Sequence, residues 1–284
     1  MASILTNSSS MAALQTLRSI GSQMSTTQER ISSGLKVGSA ADNAAYWSIS
    51  TTMKSESSSL SVVGEALGMG SSLADISSTG VNSIIDLAKQ VRDRLTAAGE
   101  TTNDSAKLQV EIDQLNKQMS SIVGSATFNG VSWLKPDSGA TSTTVLSGVT
   151  KTETSGVIAT TLNTIDIDLV SSEATGRSVD AIVTAISAVD ATSAAAGLTI
   201  VDNAIKALTE IGSKFGAAST RIDLQKDFIS SLTDAIDRGV GSLVDADMNE
   251  ESTRLKALQT QQQLAVQALS IANSSSESIL QLFR

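Results

Sequence analysis

From Val244 to the end of the chain, residues at alternating steps of four and three form one stripe: Val244, Met248, Glu251, Leu255, Leu258, Gln262, Ala265, Leu269, Ala272, Ser276, Ile279 and Phe283. All but Glu251, Gln262 and Ser276 are apolar. A helix with this repeat, about 3.5 residues, buries its stripe along a second helix. No Gly, Pro or Cys interrupts it, and Leu280 and Leu282 keep the terminus apolar. Chain ends are ordinarily polar and frayed, so a stripe carried this far needs a cover.

The other end of the chain supplies a candidate. A first helix is predicted from about Ser9 to Gly34, with Leu14, Leu17, Met24 and Ile31 on its stripe, Gly21 and Gln28 between them, and Arg18, Gln23, Glu29 and Arg30 on the polar face. Neither terminal helix buries enough alone, so both are expected to order only when packed on each other and on neighbouring copies. Gly34 to Asn43 breaks the pattern, and Ser39 or Asp42 is the expected N-cap of the second helix. That helix carries the longest regular stripe, Ile49, Met53, Glu56, Leu60, Val63, Leu67, Gly70, Ala74, Ser77, Val81, Ile84, Ala88, Val91, Leu95 and Ala98, and spans roughly 75–80 Å at the ordinary helical rise. Gly99 ends it. After a short loop, Leu108, Ile112, Leu115, Met119 and Ile122 mark a third helix that should fold back antiparallel on the long one.

From Ala126 the character changes. Phe128-Asn129-Gly130-Val131 holds the Asn-Gly pair of a tight hairpin turn, and Trp133, Leu134 and the lone Pro136 come after it. Residues 137–164 are rich in Ser, Thr and Gly, read as a small β region with a variable loop. Thr164 to Leu169 alternates strictly, as a half-buried strand does. A short helix is expected over residues 178–189. The helical stripe then returns as Leu208, Ile211, Phe215, Ala218, Ile222, Gln225, Ile229, Leu232, Ile236, Gly239 and Leu243. It resumes one residue out of phase at Val244, so a joint is expected beside Gly239 and Gly241.

The fold expected is mainly α: long helical hairpin or coiled-coil arms from both termini around a small β-hairpin region. Composition narrows the function. The 284 residues contain no His and no Cys, with 2% aromatic residues and a net charge of -9. The commonest general base and the thiolate and imidazole metal ligands are missing, and the carboxylates are scattered along helix faces. No catalytic, cofactor or metal site is therefore predicted, and no enzyme. A basic surface for nucleic acid is absent. No predominantly apolar run is long enough to span a membrane, and no secretory signal stands near Met1. Asp245, Asp247, Glu250 and Glu251 read as helix-start residues favoured by the dipole. Contacts between copies that do not close into a ring propagate as a fibre, so self-assembly is the expected activity.

The motifs carry a resemblance. Residues 29–37, Glu-Arg-Ile-Ser-Ser-Gly-Leu-Lys-Val, and then Ser-Ala-Ala-Asp-Asn-Ala-Ala at 39–45, are similar to the N-terminal signature of bacterial flagellins. Phe128-Asn129-Gly130, Ile165 to Leu169, Val244 to Met248 and the ending Ser278 to Arg284 resemble the later landmarks in the family's order. The Tyr46-Trp47 pair resembles the alphaproteobacterial branch. The resemblance implies a structural subunit of the bacterial flagellar filament, used in swimming and located outside the cell. Residues 1–42 and 243–284 would form its inner core layer. Residues 43–242, including the β region at 126–197, would form the next layer, with no substantial outer domain. Filament-core packing would fall to Leu14, Leu17, Met24, Ile31, Leu255, Leu258, Ala265, Leu269, Ile279, Leu280, Leu282 and Phe283. It further implies unfolded passage through the flagellar type III channel, a chaperone on the C-terminal helix, and cap and hook-filament junction proteins as partners.

Two segments resemble epitopes read by immune receptors. In residues 29–50, Asn43 and Tyr46 replace the family's Asp and Gly, which favours a simple helix break. Arg92 and Glu111 match positions that an animal toll-like receptor reads, but Arg94 puts charge where the family has Leu, and an exposed helix face is the plainer reading. Two alternatives compete with flagellin. The flagellar hook-filament junction protein shares both arms. A chemoreceptor-like signalling coiled coil shares the composition but lacks the strand-forming insert.

Overall fold

The computed structural model describes residues 7–100, 104–136, 140–154, 157–171 and 177–282, with side chains described outside 151–159 and 275–282. In chain order the elements are α1 (Ser8–Ser33), α2 (Ala44–Ala98), α3 (Ser105–Ser125), β1 (Ser142–Thr154), β2 (Val157–Asp168), β3 (Val170–Ser171), β4 (Arg177–Ser178), α4 (Val179–Ser187), α5 (Ala194–Val244) and α6 (Met248–Leu282). The chain forms two compact units, one of Met1–Glu56 with Ala235–Arg284 and one of Ser57–Asp234.

In the unit of Ser57–Asp234, the stripe read along α2 is the buried face from Leu60 to Leu95, and it packs on the stripe of α5. The two run antiparallel: a methyl group added at Gly64 would lie 3.9 Å from Ile229, and one at Gly212 would lie 3.4 Å from Val81. Helix α3, capped by Asp104, folds back as expected, with Arg94 Nε 2.9 Å from Glu111 Oε2 near one end and Gly80 beside Ile122 near the other. Phe128 to Val131 forms the expected tight turn, closed by paired backbone bonds of 2.9 and 3.0 Å. It delivers Trp133 and Leu134 into the core, Trp133 lying 5.8 Å from the Phe215 ring and Leu134 above Gly80.

The β region is more regular than its composition suggests. β1 and β2 pair antiparallel over nearly their full lengths, with a bulge between Leu146 and Gly148. At the base of this ribbon Val145, Ile165, Ile167 and Leu169 point into the core while Thr164, Asp166 and Asp168 face outward. Val145 sits over Gly70, so close that a Cβ there would meet it at 2.7 Å. Gln225 of α5 donates to the Ser147 carbonyl at the bulge, and Lys214 donates to the Val170 carbonyl. The residues read as a small β region with a variable loop thus supply two long strands. α4 is the expected short helix, buried through Val179, Ile182, Val183 and Ile186.

Three local expectations are corrected. Asn43, not Ser39 or Asp42, caps α2, accepting from the Ala45 and Tyr46 N–H groups at 3.1 Å. Asp42 instead ties the preceding loop, accepting from Gly38 N, Ser39 N and Ser39 Oγ. The first turns of α2 bury Ser50 and leave Ile49 and Glu56 exposed, one residue out from the predicted register. α5 runs unbroken through Gly239 and Gly241, and the chain breaks at residues 245–247. Gly239 serves close packing, since a Cβ there would lie 3.2 Å from the Met53 methyl.

Candidate assembly surface

The unit made of the two chain ends is built on α1 and α6, which pack along each other. Asn7 caps α1 and donates from Nδ2 to the Ala272 carbonyl at 3.0 Å, and Ser10 Oγ lies 2.6 Å from Asn273 Oδ1. Near the other end Arg30 Nη1 reaches Glu251 Oε1 at 3.1 Å. The ends of α1 thus face opposite ends of α6, an antiparallel pair.

On α6 the covered positions are Glu251, Leu255, Leu258, Gln262, Ala265, Leu269 and Ala272, the predicted stripe. Met248, its second member, is exposed. On α1 the covered face is Ser10, Ala13, Leu17, Ile20, Met24, Thr27 and Ile31. Leu17, Met24 and Ile31 therefore lie in the seam as expected, but Leu14 does not: it is 41% exposed, and Ile20 and Thr27 take the buried places between. Both registers share every second stripe position, and α1 rotates to bury Ile20 rather than Gln28. The seam is thin. Leu258 is buried, while Leu255, Ala265 and Leu269 are only half-covered. The backbone of α6 includes Ile279, Leu280 and Leu282, but their side chains, and the whole of Phe283, lie outside the described residues.

A joint closes this unit where both arms break. Gly34 takes the left-handed conformation (φ 73°) that ends α1 at little steric cost. Lys36 N–H then donates to the Val244 carbonyl at 2.6 Å, and Ala246 N–H to the Gly34 carbonyl at 2.9 Å. Val37, Val240 and Val244 form a small core there, with Leu35, Met53, Ile236 and Leu243 packed on it. Asp247 caps α6, accepting from Asn249 and Glu250 N–H groups. Glu251, a polar member of the predicted stripe, is 5% exposed; Arg254 also approaches its Oε1 at 3.5 Å, while its buried Oε2 has no partner among the described residues. Arg30 stands on the predicted polar face, and nothing in its spacing announces that it crosses to Glu251.

The same unit leaves apolar side chains uncovered. Met11 and Leu14 stand out on α1, and Leu264, Val266 and Ile271 on α6. No charged residue occurs on α6 from Ala257 to Ser276, and Arg18 is the sole charge on α1 before Glu29. The sequence pattern does not single out Leu264, Val266 or Ile271, because they lie off the single stripe that a two-helix seam requires. In the other unit Glu111 pairs with Arg94, and Arg92 approaches Asp93 at 3.5 Å. Arg94, the charge that stands where the family has Leu, thus engages Glu111, one of the two matching positions.

Comparison with known proteins matches two family models, the bacterial flagellin N-terminal helical region over residues 4–138 and the bacterial flagellin C-terminal helical region over residues 198–283. The chain is 41% identical to Flagellin C of Rhizobium meliloti (strain 1021) over 320 aligned positions, and 42% identical to a flagellin of Brucella melitensis biotype 1 over 292, each alignment covering both chains in full. Flagellin D of Rhizobium meliloti aligns at 38% identity over 396 positions, again covering both chains in full. A crystal structure of Bacillus cereus flagellin matches at 23% identity with a TM-score of 0.41, over 57% of this chain and 86% of that one.

Proposed function

Because the chain belongs to the bacterial flagellin family, we propose that residues 1–42 and 243–284 form the inner core layer of the flagellar filament, and residues 43–242 the layer around it. The protein is a structural subunit of that extracellular filament, which it builds by polymerising with copies of itself. The observation that carries the layer assignment is the uncovered apolar set Met11, Leu14, Leu264, Val266 and Ile271 on a thin, nearly uncharged helix pair. Such a pair is half of a core, completed when identical pairs crowd round it without charge repulsion. Leu17, Met24, Ile31, Leu255, Leu258, Ala265 and Leu269 hold the pair together, Leu14 faces neighbouring copies, and Ile279, Leu280, Leu282 and Phe283 extend the core contact to the chain end.

Export as an unfolded chain through the flagellar type III channel, a chaperone over the C-terminal helix, and cap and junction proteins at the filament ends complete this reading. It assigns the chain no enzymatic role. Receptor recognition at Arg92 and Glu111 is disfavoured by the Arg94–Glu111 pair. Electron microscopy of the purified protein after addition of salt or filament seeds tests the proposal. Long helical filaments are expected. Persistent monomers or short caps on seeds would instead favour the junction protein.

A further inference from the structure

The turn from Phe128 to Val131 carries a chemistry unrelated to assembly. Asn129 has φ 50° and Gly130 φ 82°, and Asn129 is the only non-glycine with positive φ among the described residues. Both are exposed, and neither the Asn129 side chain nor the Gly130 N–H has a hydrogen-bond partner among the described residues. Theirs is also the one Asn-Gly pair in the sequence.

Attack of the Gly130 nitrogen on Asn129 Cγ closes a near-planar five-membered ring, which fixes ψ of Asn129 at about -120°. That is the ψ of the first corner of a type II′ turn, whose φ of about +60° is shared with the type I′ turn present here. One flip of the 129–130 peptide therefore reaches cyclisation geometry while the Phe128–Val131 bonds stay in place. Gly130 must move in step from positive φ to about -80°, a change that only glycine makes without steric cost.

We propose that Asn129 is a site of spontaneous covalent modification, passing through a succinimide with Gly130 to aspartate and isoaspartate. In the first step the Gly130 N–Cγ bond forms, the Cγ–Nδ2 bond breaks, and ammonia leaves carrying the Gly130 proton. Water then adds to one imide carbonyl. Opening at Cγ gives aspartate; opening at the main-chain carbonyl gives isoaspartate. Isoaspartate lengthens the backbone of the turn by one carbon and loosens the bridge that delivers Trp133 and Leu134 to the core.

The test is peptide mapping by mass spectrometry of the purified full-length protein, aged at mildly alkaline pH in native buffer and in urea. In native buffer Asn129 should convert roughly tenfold faster than any other Asn, because every other Asn precedes a residue bearing a Cβ, and isoaspartate should exceed aspartate. Conversion in urea but not in the folded chain would show that the turn protects its amide and would overturn the proposal. Aspartate without isoaspartate would overturn it too, since direct hydrolysis makes no isoaspartate. Gly130→Ala should slow the reaction in both buffers; an unchanged rate counts against cyclisation even where the variant has lost its turn.

Discussion

Glu251 shows how much rests on single side chains at the joint. Its carboxylate is nearly closed to solvent and takes one donor from the other arm, Arg30, and one from its own helix, Arg254. Arg30→Met should therefore weaken the terminal unit by about 1–3 kcal/mol, less than a wholly orphaned buried charge because Arg254 remains. Adding Glu251→Leu should recover most of that loss, as tracked by circular dichroism while assembled filaments, in which both arms are ordered, are unfolded in urea. Asp42 gives a pH signature. Hydrogen bonds from the Ser39 N–H and hydroxyl, then from Gly38 N–H, with the Arg30 charge nearby, hold its carboxyl below the usual carboxylate value. A depressed folded-state pKa means the contribution is complete at neutral pH, fades below the unfolded value of 3.8, and is gone once pH falls through the folded value. Asp42→Asn should remove that acid-side loss while leaving the loop less ordered at neutral pH, measurable as faster amide exchange at Gly38 and Ser39.

Among the elements, the notches in α2 decide how the β region seats. Gly70→Ala would drive a methyl group into Val145, a stiff β-branched neighbour, and should cost about 1–3 kcal/mol despite the better helix propensity of Ala. Gly68→Ala, two residues away with nothing within 4 Å of the new methyl, should instead stabilise by about 0.5–1 kcal/mol. Chemical denaturation of the two variants side by side checks both signs. The same elements show what a sequence can carry. The α5 and α6 stripes are readable because a two-helix seam admits a single periodic set of covered positions. The face of α1 is ambiguous in the sequence, since Leu14 and Ile20 compete for the seam and only packing decides between them. The register of β1 is hard to read because the bulge between Leu146 and Gly148 breaks its alternation in mid-strand, so that Val145, Ser147 and the adjacent Gly148 are all buried and no strict period of two runs through them. The joint lies beyond Gly239 and Gly241, where the pattern suggests it, because glycine marks close approach as readily as a break.

For the whole molecule, the test of assembly is whether polymer and fold separate. Replacing Leu264, Val266 and Ile271 with Ser should leave unfolding of the monomer within about 0.5 kcal/mol, as exposed sites do, yet raise the concentration needed for polymerisation, read by sedimentation. Removing residues 265–284 should abolish filaments altogether while residues 57–234 keep their protection from protease. The two arms are fastened to each other by the bonds between residues 34–37 and 244–246. The connection between β1 and β2 is more than eighty residues in sequence from either side of that fastening, so a segment spliced into it should leave the 34–37 to 244–246 bonds, and with them polymer growth, intact, as electron microscopy of the insertion variant checks. Chains longer than these 284 residues occur among the relatives, with alignments of 292 to 400 positions, and a segment accepted there would be repeated once for every copy in the fibre.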